Sequence, residues 1–375
     1  MKKTFLLCCV LLLFLTVHRY SIFVKEQLNT AAYHSTYFGK KFGRDLEFVT
    51  RPSAEKFSLK IALCIVTLPN KLTFGFAGLS WRTLFTLLNH AIPGSGLKTI
   101  NLPANPNPSK TLTLMSFNTC LREGFFAPYT GGVVHPFEAV KGYASRIEAL
   151  ADWVGKKSPD IFIGQEFMSI SAATLFIEKL KIHGYTSFIY DHTIGPLSVN
   201  SGLFAASKRP IVDVAFLCFP FGDKAGVAKF ARMGAISFTV LDDQKKPVLR
   251  IYNTHLDPGP SQNVRERQLK KHLLPIFHLD QIPAILAGDL NFDTALNKIE
   301  AGLENLTNIL EGTVTCSEEG KIKLRGLRKP NIEKIDGIIG NSSVVNFSNV
   351  TVEQVKSFDD ILSDHFAVST NIKLK

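Results

Sequence analysis

From Thr111 to the C-terminus the chain is divided into short β-rich runs, and this limits its possible folds more than any single motif does. The runs are TLTLMSF (111–117), DIFIG (160–164), YTSFIY (185–190), GLFAAS (202–207), AISFTVL (235–241), VLRIYNT (248–254), PAILAG (283–288), KIDGIIG (334–340) and HFAVSTNIKL (365–374). Helical patterns lie between them. In 138–157, Ile147, Leu150, Ala151 and Val154 recur at i, i+3, i+4 and i+7, and 171–182 and 262–279 also read as helices. Strands and helices that alternate irregularly over this length predict an α/β fold. The expected form is a four-layer α/β sandwich, two packed mixed β-sheets flanked by helices, behind an N-terminal apolar and basic extension.

The first 110 residues have a different texture and carry the charge. They hold 14 Lys/Arg against 4 Asp/Glu, whereas residues 111–375 hold 29 against 28. The net charge of +11 is therefore no nucleic-acid signature for the later region. Met1-Lys2-Lys3 and the apolar run Thr4–Val17 read as an export signal, cleaved or retained as an anchor, and 1–24 is assigned to it; a buried core helix is the plainer alternative. Residues 25–100 are assigned to a basic, apolar, membrane-associated or linker region. Its runs IALCIVTLP and LTFGFAGLSW, separated by Asn70-Lys71, suit either a buried helical hairpin or an interfacial segment. NLPANPNPSK (101–110) reads as a linker, leaving 111–375 as the chemistry-bearing domain. The six cysteines include no CxxC pair, so neither a zinc site nor a thioredoxin-like site is indicated. The expected localisation is exported, membrane-anchored or secreted, with no obligate protein partner evident.

The polar groups at the strand ends name the chemistry. The first strand ends Ser116-Phe117-Asn118, the second Gln165-Glu166, the sixth Asn253-Thr254-His255, and PAILAG stops at Asp289-Leu290-Asn291. Asp336 interrupts EKIDGIIG, and Ser363-Asp364-His365 opens the last run. One such ending is explained as a turn cap; a succession of them at one sheet rim describes a site. Glu166, Asp289, Asp336, Asp364 and the amides of Asn118 and Asn291 offer hard oxygens, the ligand set of Mg²⁺ or Ca²⁺. His255 and His365 can donate to an anionic oxygen or move protons. Together these groups predict attack of water on a phosphate ester. GxSxG, Walker and HExxH signatures are missing.

In that order, SFN, QE, NTHL, GDLNFD, KIDGII and SDH resemble the signature of the endonuclease/exonuclease/phosphatase superfamily, and the likeness covers 111–375. RIEALADWVGKKSPDIFIGQEFM, NSGLFAASKRPI, and NTHLDP followed by Arg265 and Gln268 are most similar to the neutral sphingomyelinase branch. The resemblance implies Glu166 as principal metal ligand, with Asn118 beside it and Asp364 able to face the metal. It implies that Asp289 orients or activates water, Asn291 fixes the phosphate, and His255 stabilises the oxyanion. His365 would be the general base or acid, with Asp336 its orienting carboxylate. The implied cofactor is Mg²⁺, one or two ions, with Mn²⁺ as substitute. The implied partners are a phospholipid or other phosphodiester substrate and a membrane surface. A DNase-like secreted nuclease and a catalytically silent membrane-binding module are the alternatives. The branch's Lys-Gly before the fifth strand reads Arg232-Met233-Gly234 here. Gln165 and Asn200 suit supporting or structural roles alike.

Overall fold

The computed structural model describes residues 96–103, 111–121, 143–168, 170–191, 200–225, 228, 231–279, 282–291, 306–310, 313–325, 333–341, 344–357 and 360–375. The signal-like segment 1–24, the basic region as far as residue 95 and the linker from 104 to 110 lie outside them. Among the described residues no helix is long and apolar enough to cross a membrane.

Two mixed sheets form the middle of the fold. The strands are β1 (Leu97–Asn101), β2 (Thr111–Asn118), β3 (Ile161–Gln165), β4 (Ser187–Asp191), β5 (Phe204–Ser207), β6 (Ile211–Cys218), β7 (Gly234–Leu241), β8 (Pro247–His255), β9 (Ala284–Asp289), β10 (Leu306–Asn308), β11 (Asp336–Asn341), β12 (Val345–Ser357) and β13 (Asp360–Leu374). One sheet has the order β1-β4-β5-β3-β2-β13-β12, the other β10-β11-β9-β8-β7-β6. Each contains one parallel pair, β2 with β3 and β8 with β9. A parallel pair needs a long crossover. The first includes helix α1 (Tyr143–Lys157), and the second a helical run over 262–279. That run contains α3 (Gln262–Arg267), a π turn (Gln268–Leu273) and α4 (Leu274–Leu279). Pro275 has no N–H to donate, and the wider turn just before it accommodates that loss.

Burial follows the layers. Leu112, Leu114, Ile161, Ile163 and Ala205 of the first sheet meet Ile236, Phe238, Leu249, Ile251, Ile285, Ala287 and Ile338 of the second. The outer face of the first sheet takes Ile147, Leu150, Ala151 and Val154 of α1, the four residues that define its predicted face, with Phe176 and Leu180 of α2 (Ile170–Ile182). The outer face of the second takes Leu269, Leu273 and Leu274. This is the expected four-layer sandwich.

Two boundaries differ from expectation. Leu97–Asn101, expected in the basic region and linker, pairs antiparallel with β4 and belongs to the first sheet, so the folded domain starts before Thr111. β13 starts at Asp360 rather than at His365, and it pairs with β2 only over Val368–Lys373. The stretch before Val368 therefore overshoots β2 and carries Ser363, Asp364 and His365 beyond the end of that strand.

Candidate active site

Strand alternation places the polar groups. In β2 the residues facing the other sheet are Leu112, Leu114, Ser116 and Asn118; in β3 they are Ile161, Ile163 and Gln165. In the second sheet the same face carries Leu249, Ile251, Asn253 and His255 on β8, Ile285, Ala287 and Asp289 on β9, and Asp336 and Ile338 on β11. The inter-sheet core thus turns polar at one end without any change of register. Both parallel pairs bring their C-terminal ends to that rim. Hydrogen bonds close it across the sheets: Asn118 Nδ2 donates to Asp289 Oδ2 (2.9 Å), and Gln165 Nε2 to Asn253 Oδ1 (2.8 Å).

Asp289 is the centre. Its neighbours in the ladder are His255 on β8 and Asp336 on β11. Its Oδ1 accepts the Asn291 N–H at 2.8 Å, while Oδ2 faces His255 Nε2 at 3.5 Å and His365 Nε2 at 3.6 Å. On the far side of the His365 ring, Nδ1 lies 2.9 Å from Asp336 Oδ2. His365 thus stands between two carboxylates, and both are buried. Burial pushes the Asp336 carboxyl up, against the pull of His365. Burial alone would lower His365, but Cys316, Asp336 and Asp289 raise it well above its ordinary value. Burial pushes Cys316 up to about 11, so it remains a thiol at neutral pH and the effective charges are the two aspartates. We place the shared proton on His365 Nδ1, because Asp289 favours the charged ring from the other side.

Strained turns deliver the next residues. Cys120, Glu166 and Asn291 follow the ends of β2, β3 and β9, and all three have positive φ, between 51° and 64°. Asparagine tolerates this region; for glutamate it costs on the order of 1–2 kcal/mol. The turn holds because Phe167 stacks on Phe204, ring centroids 4.6 Å apart, and its N–H donates to Gly202 O. Glu166 is consequently 1% exposed, one residue beyond the Gln165 that pairs with Asn118. Asp364 is buried beside His365, and its carbonyl accepts the Ser317 N–H. One Asn291 amide hydrogen is committed to Leu256 O at 2.9 Å.

The supporting residues sort themselves by contact. Ser363 Oγ donates to Asn118 O and accepts the His365 N–H, tying the overshooting part of β13 to the end of β2. Arg146 reaches from α1 to the carbonyls of Thr119, Cys120 and Leu362. Gln268 Oε1 accepts the Asp257 N–H and Arg265 donates to Asp257 O, fixing the loop after His255. Asn200 caps its own turn, accepting the Gly202 N–H. Arg232 is paired with Asp191 at 2.9 Å and lies over the Phe216 ring.

Sequence reasoning missed Cys316. It forms an isolated bridge with His365, 49 residues away, and its Sγ lies 3.5 Å from His365 Nδ1. Thr315, whose hydroxyl accepts the Asp336 N–H, was missed for the same reason: the contact is long-range. The only local signal in TVTCSEEG is the helix start at Ser317, whose Oγ accepts the Gly320 N–H ahead of α5 (Glu318–Arg325).

The donor chemistry suits a hard cation. Glu166, Asp289, Asp336 and Asp364 are all buried at this rim, and no lysine or arginine lies within salt-bridge reach of Asp289 among the described residues. Buried carboxylates of this kind favour a neutralising ion.

Two solved structures with TM-scores above 0.5 share the architecture. No curated protein matches the chain. TDP2 from D. rerio, complexed with a single-strand DNA product, is 16% identical with a TM-score of 0.53, covering 70% of this chain and 99% of its own. A double mutant of beta toxin from Staphylococcus aureus, with bound magnesium ions, is 16% identical with a TM-score of 0.51, covering 69% and 98%. Sphingomyelinase C from Streptomyces griseocarneus is 16% identical with a TM-score of 0.46, covering 70% and 99%. The sequence profile of the Endonuclease/Exonuclease/phosphatase family matches residues 115–313, more than half of the sequence, and the chain belongs to that family.

Proposed function

We propose that the chain is a divalent-metal-dependent phosphodiesterase that cleaves a phospholipid head group, as a sphingomyelinase does, by attack of water on phosphorus. The observation that carries this reading is the convergence on Asp289 Oδ2 of the Asn118 amide and the two imidazole Nε2 atoms. The 3.5 and 3.6 Å separations are longer than good hydrogen bonds, so a phosphoryl oxygen or a water entering there gains partners. Glu166, Asn118 and Asp364 would hold the cation, which would supply neutralisation of the charge on the phosphoryl oxygens. Mg²⁺ is the natural candidate, one or two ions, given the magnesium of the similar beta toxin structure, and Mn²⁺ would substitute.

The side chains divide the remaining work. Asp289 orients the water and accepts its proton. His255 donates to the oxyanion as the phosphorus becomes five-coordinate. His365, with Asp336 fixing its Nδ1–H, presents Nε2 to the leaving oxygen and protonates it. The Asn291 amide hydrogen not used by Leu256 holds the phosphate.

The near-neutral charge of residues 111–375 favours a lipid over a polyanion that must be held along its length. A secreted nuclease is the second reading, favoured by the likeness to TDP2 in complex with a DNA product. A silent membrane-binding module would not need the intact Asn118–Asp289–His365–Asp336 network. The signal-like 1–24 and the basic, apolar segment after it fit an exported enzyme, secreted or anchored at a membrane surface. The test is Mg²⁺-dependent product release from dispersed sphingomyelin and from DNA, run side by side. Hydrolysis of the lipid, with His255→Ala and His365→Ala each reducing it by about two orders of magnitude, supports the proposal. Digestion of DNA with the lipid untouched transfers it to the nuclease reading.

A further inference from the structure

The side of the His365 ring that faces Asp336 also faces a sulfur. Cys316 Sγ lies 3.5 Å from Nδ1 and 3.7 Å from Nε2, and Asp336 Oδ2 lies 2.9 Å from the same Nδ1. One ligand atom from each of Cys316, Asp336 and His365 falls within 4.8 Å of the others, and all three residues are buried. A tetrahedral ion bonded to sulfur at about 2.3 Å and to imidazole nitrogen at about 2.0 Å holds those two atoms about 3.5 Å apart. The Sγ–Nδ1 distance has that value, but Sγ is nearly as close to Nε2 and so lies beside the ring, off the Nδ1 lone pair, and the imidazole must turn to share an ion with it. Thiolate, imidazole and carboxylate together select Zn²⁺ or Cd²⁺ and discriminate against Mg²⁺, which avoids sulfur and keeps oxygen ligands.

We propose that Cys316, Asp336 and His365 form a second, inhibitory site for a thiophilic divalent cation, chemically separate from the oxygen donors Asn118, Glu166 and Asp364. On binding, the Cys316 thiol and His365 Nδ1 each release a proton to solvent, and the ion takes the lone pair that Nδ1–H had occupied. Asp336 turns from the imidazole to the ion. The ring is then held by the ion and keeps only an Nε2–H, a weaker acid than the charged imidazolium, so the leaving oxygen is not protonated and hydrolysis stops while the oxygen donors remain available to Mg²⁺. The inhibition rests on the catalytic role proposed for His365; the binding does not.

The test therefore has two arms on the full chain. In the first, Cd²⁺ is added without substrate and the ultraviolet thiolate-to-Cd²⁺ charge-transfer band is recorded. One equivalent of Cd²⁺ should produce the band and Zn²⁺ should abolish it. Cys316→Ser and, separately, His365→Ala should lose it, while Cys120→Ser keeps it. No band in the wild type, or a band that survives both substitutions, overturns the proposal, and the two substitutions fail independently should one of them not fold. In the second arm, Zn²⁺ is titrated into the Mg²⁺-supported reaction. Measured against its own Mg²⁺-only rate, Cys316→Ser should need at least about tenfold more Zn²⁺ for half inhibition. Equal sensitivity in wild type and variant overturns the inhibitory role. If no phosphodiester is hydrolysed at all, the functional reading fails, and the Cd²⁺ arm still decides the site.

Discussion

Replacing Gly288 by alanine should damage both fold and site, although the residue offers no functional group. Gly288 has φ +140°, and a Cβ built there lies 1.9 Å from the backbone oxygen of Thr254. A carbon and a carbonyl oxygen rest about 3.3–3.6 Å apart, so β8 and β9 must separate by more than about 1 Å at this rung. Two ladder hydrogen bonds at about 1 kcal/mol each and a backbone penalty of about 1–2 kcal/mol give about 3–4 kcal/mol, out of a total stability of about 5–15. For a domain of this size that lowers the melting temperature by about 6–15 °C. The next rung pairs His255 with Asp289, so the same displacement moves the imidazole off the carboxylate. A misplacement of about 1 Å costs on the order of a hundredfold in rate.

Gly184 provides the control. It ends α2 with φ +82° in a Schellman arrangement, Tyr185 N–H to Leu180 O and Gly184 N–H to Lys181 O, and no heavy atom lies within 4 Å of a Cβ built there. Gly184→Ala should cost only the backbone penalty, about 1 kcal/mol, and leave turnover alone. Both variants would be measured by thermal melting and by turnover at saturating Mg²⁺. If Gly288→Ala melts no lower than Gly184→Ala, or turns over like wild type, the claim that close strand approach positions Asp289 is wrong.

Glu166→Ala should reduce Mg²⁺-supported turnover by about a hundredfold or more with little change in melting; near-normal rates at limiting Mg²⁺ would remove Glu166 from the ligand set. Hydrogen bonds from His272 and Arg267 hold the Asp223 carboxyl down, at about 2. A depressed carboxyl stabilises the fold above its unfolded value and loses that contribution as pH falls through the folded one. The wild-type advantage over Asp223→Asn should therefore disappear between about pH 4 and pH 2, and a melting difference that is flat across that window contradicts it. A chain starting at Gly94 retains β1, whereas one starting at Thr111 exposes the edge of the fully buried strand β4. The shorter chain should melt lower and aggregate; equal melting and solubility would show that β1 is dispensable.

The strands that were legible and those that were not divide by position in the sheet. Every run read from the sequence became an interior strand, and the four that escaped, β1, β12, β10 and β6, are the outermost strands of the two described sheets. Interior strands are covered on both faces and so read as continuous apolar segments, as Ala284–Asp289 does. Edge strands give weaker signals. β12 carries Asn346, Ser348, Thr351, Glu353 and Lys356, and two register shifts break its pairing with β13. β6 is interrupted at Asp213, which has φ +50°, and β10 has three residues. β1 begins beside a stretch whose basic, apolar texture pointed to a different role.

The site was legible for a related reason. A strand that is core on both sides leaves no room for an unexplained polar residue, so an Asp or Asn in step with its apolar neighbours announces a function. Asn118 continues Leu112, Leu114 and Ser116; Asp289 continues Ile285 and Ala287; His255 continues Leu249, Ile251 and Asn253. Period two marks these residues, and long-range pairing only has to bring the marked ends together. Cys316 carries no such mark. It lies outside every strand and is itself a good core residue, and it reaches His365 by a bridge that closes 49 positions. Its proximity to the imidazole is a property of β13 overshooting β2, which no local pattern records. The polar groups at the strand ends could thus be marked residue by residue from the sequence, while Cys316, beside His365, had to be found in three dimensions.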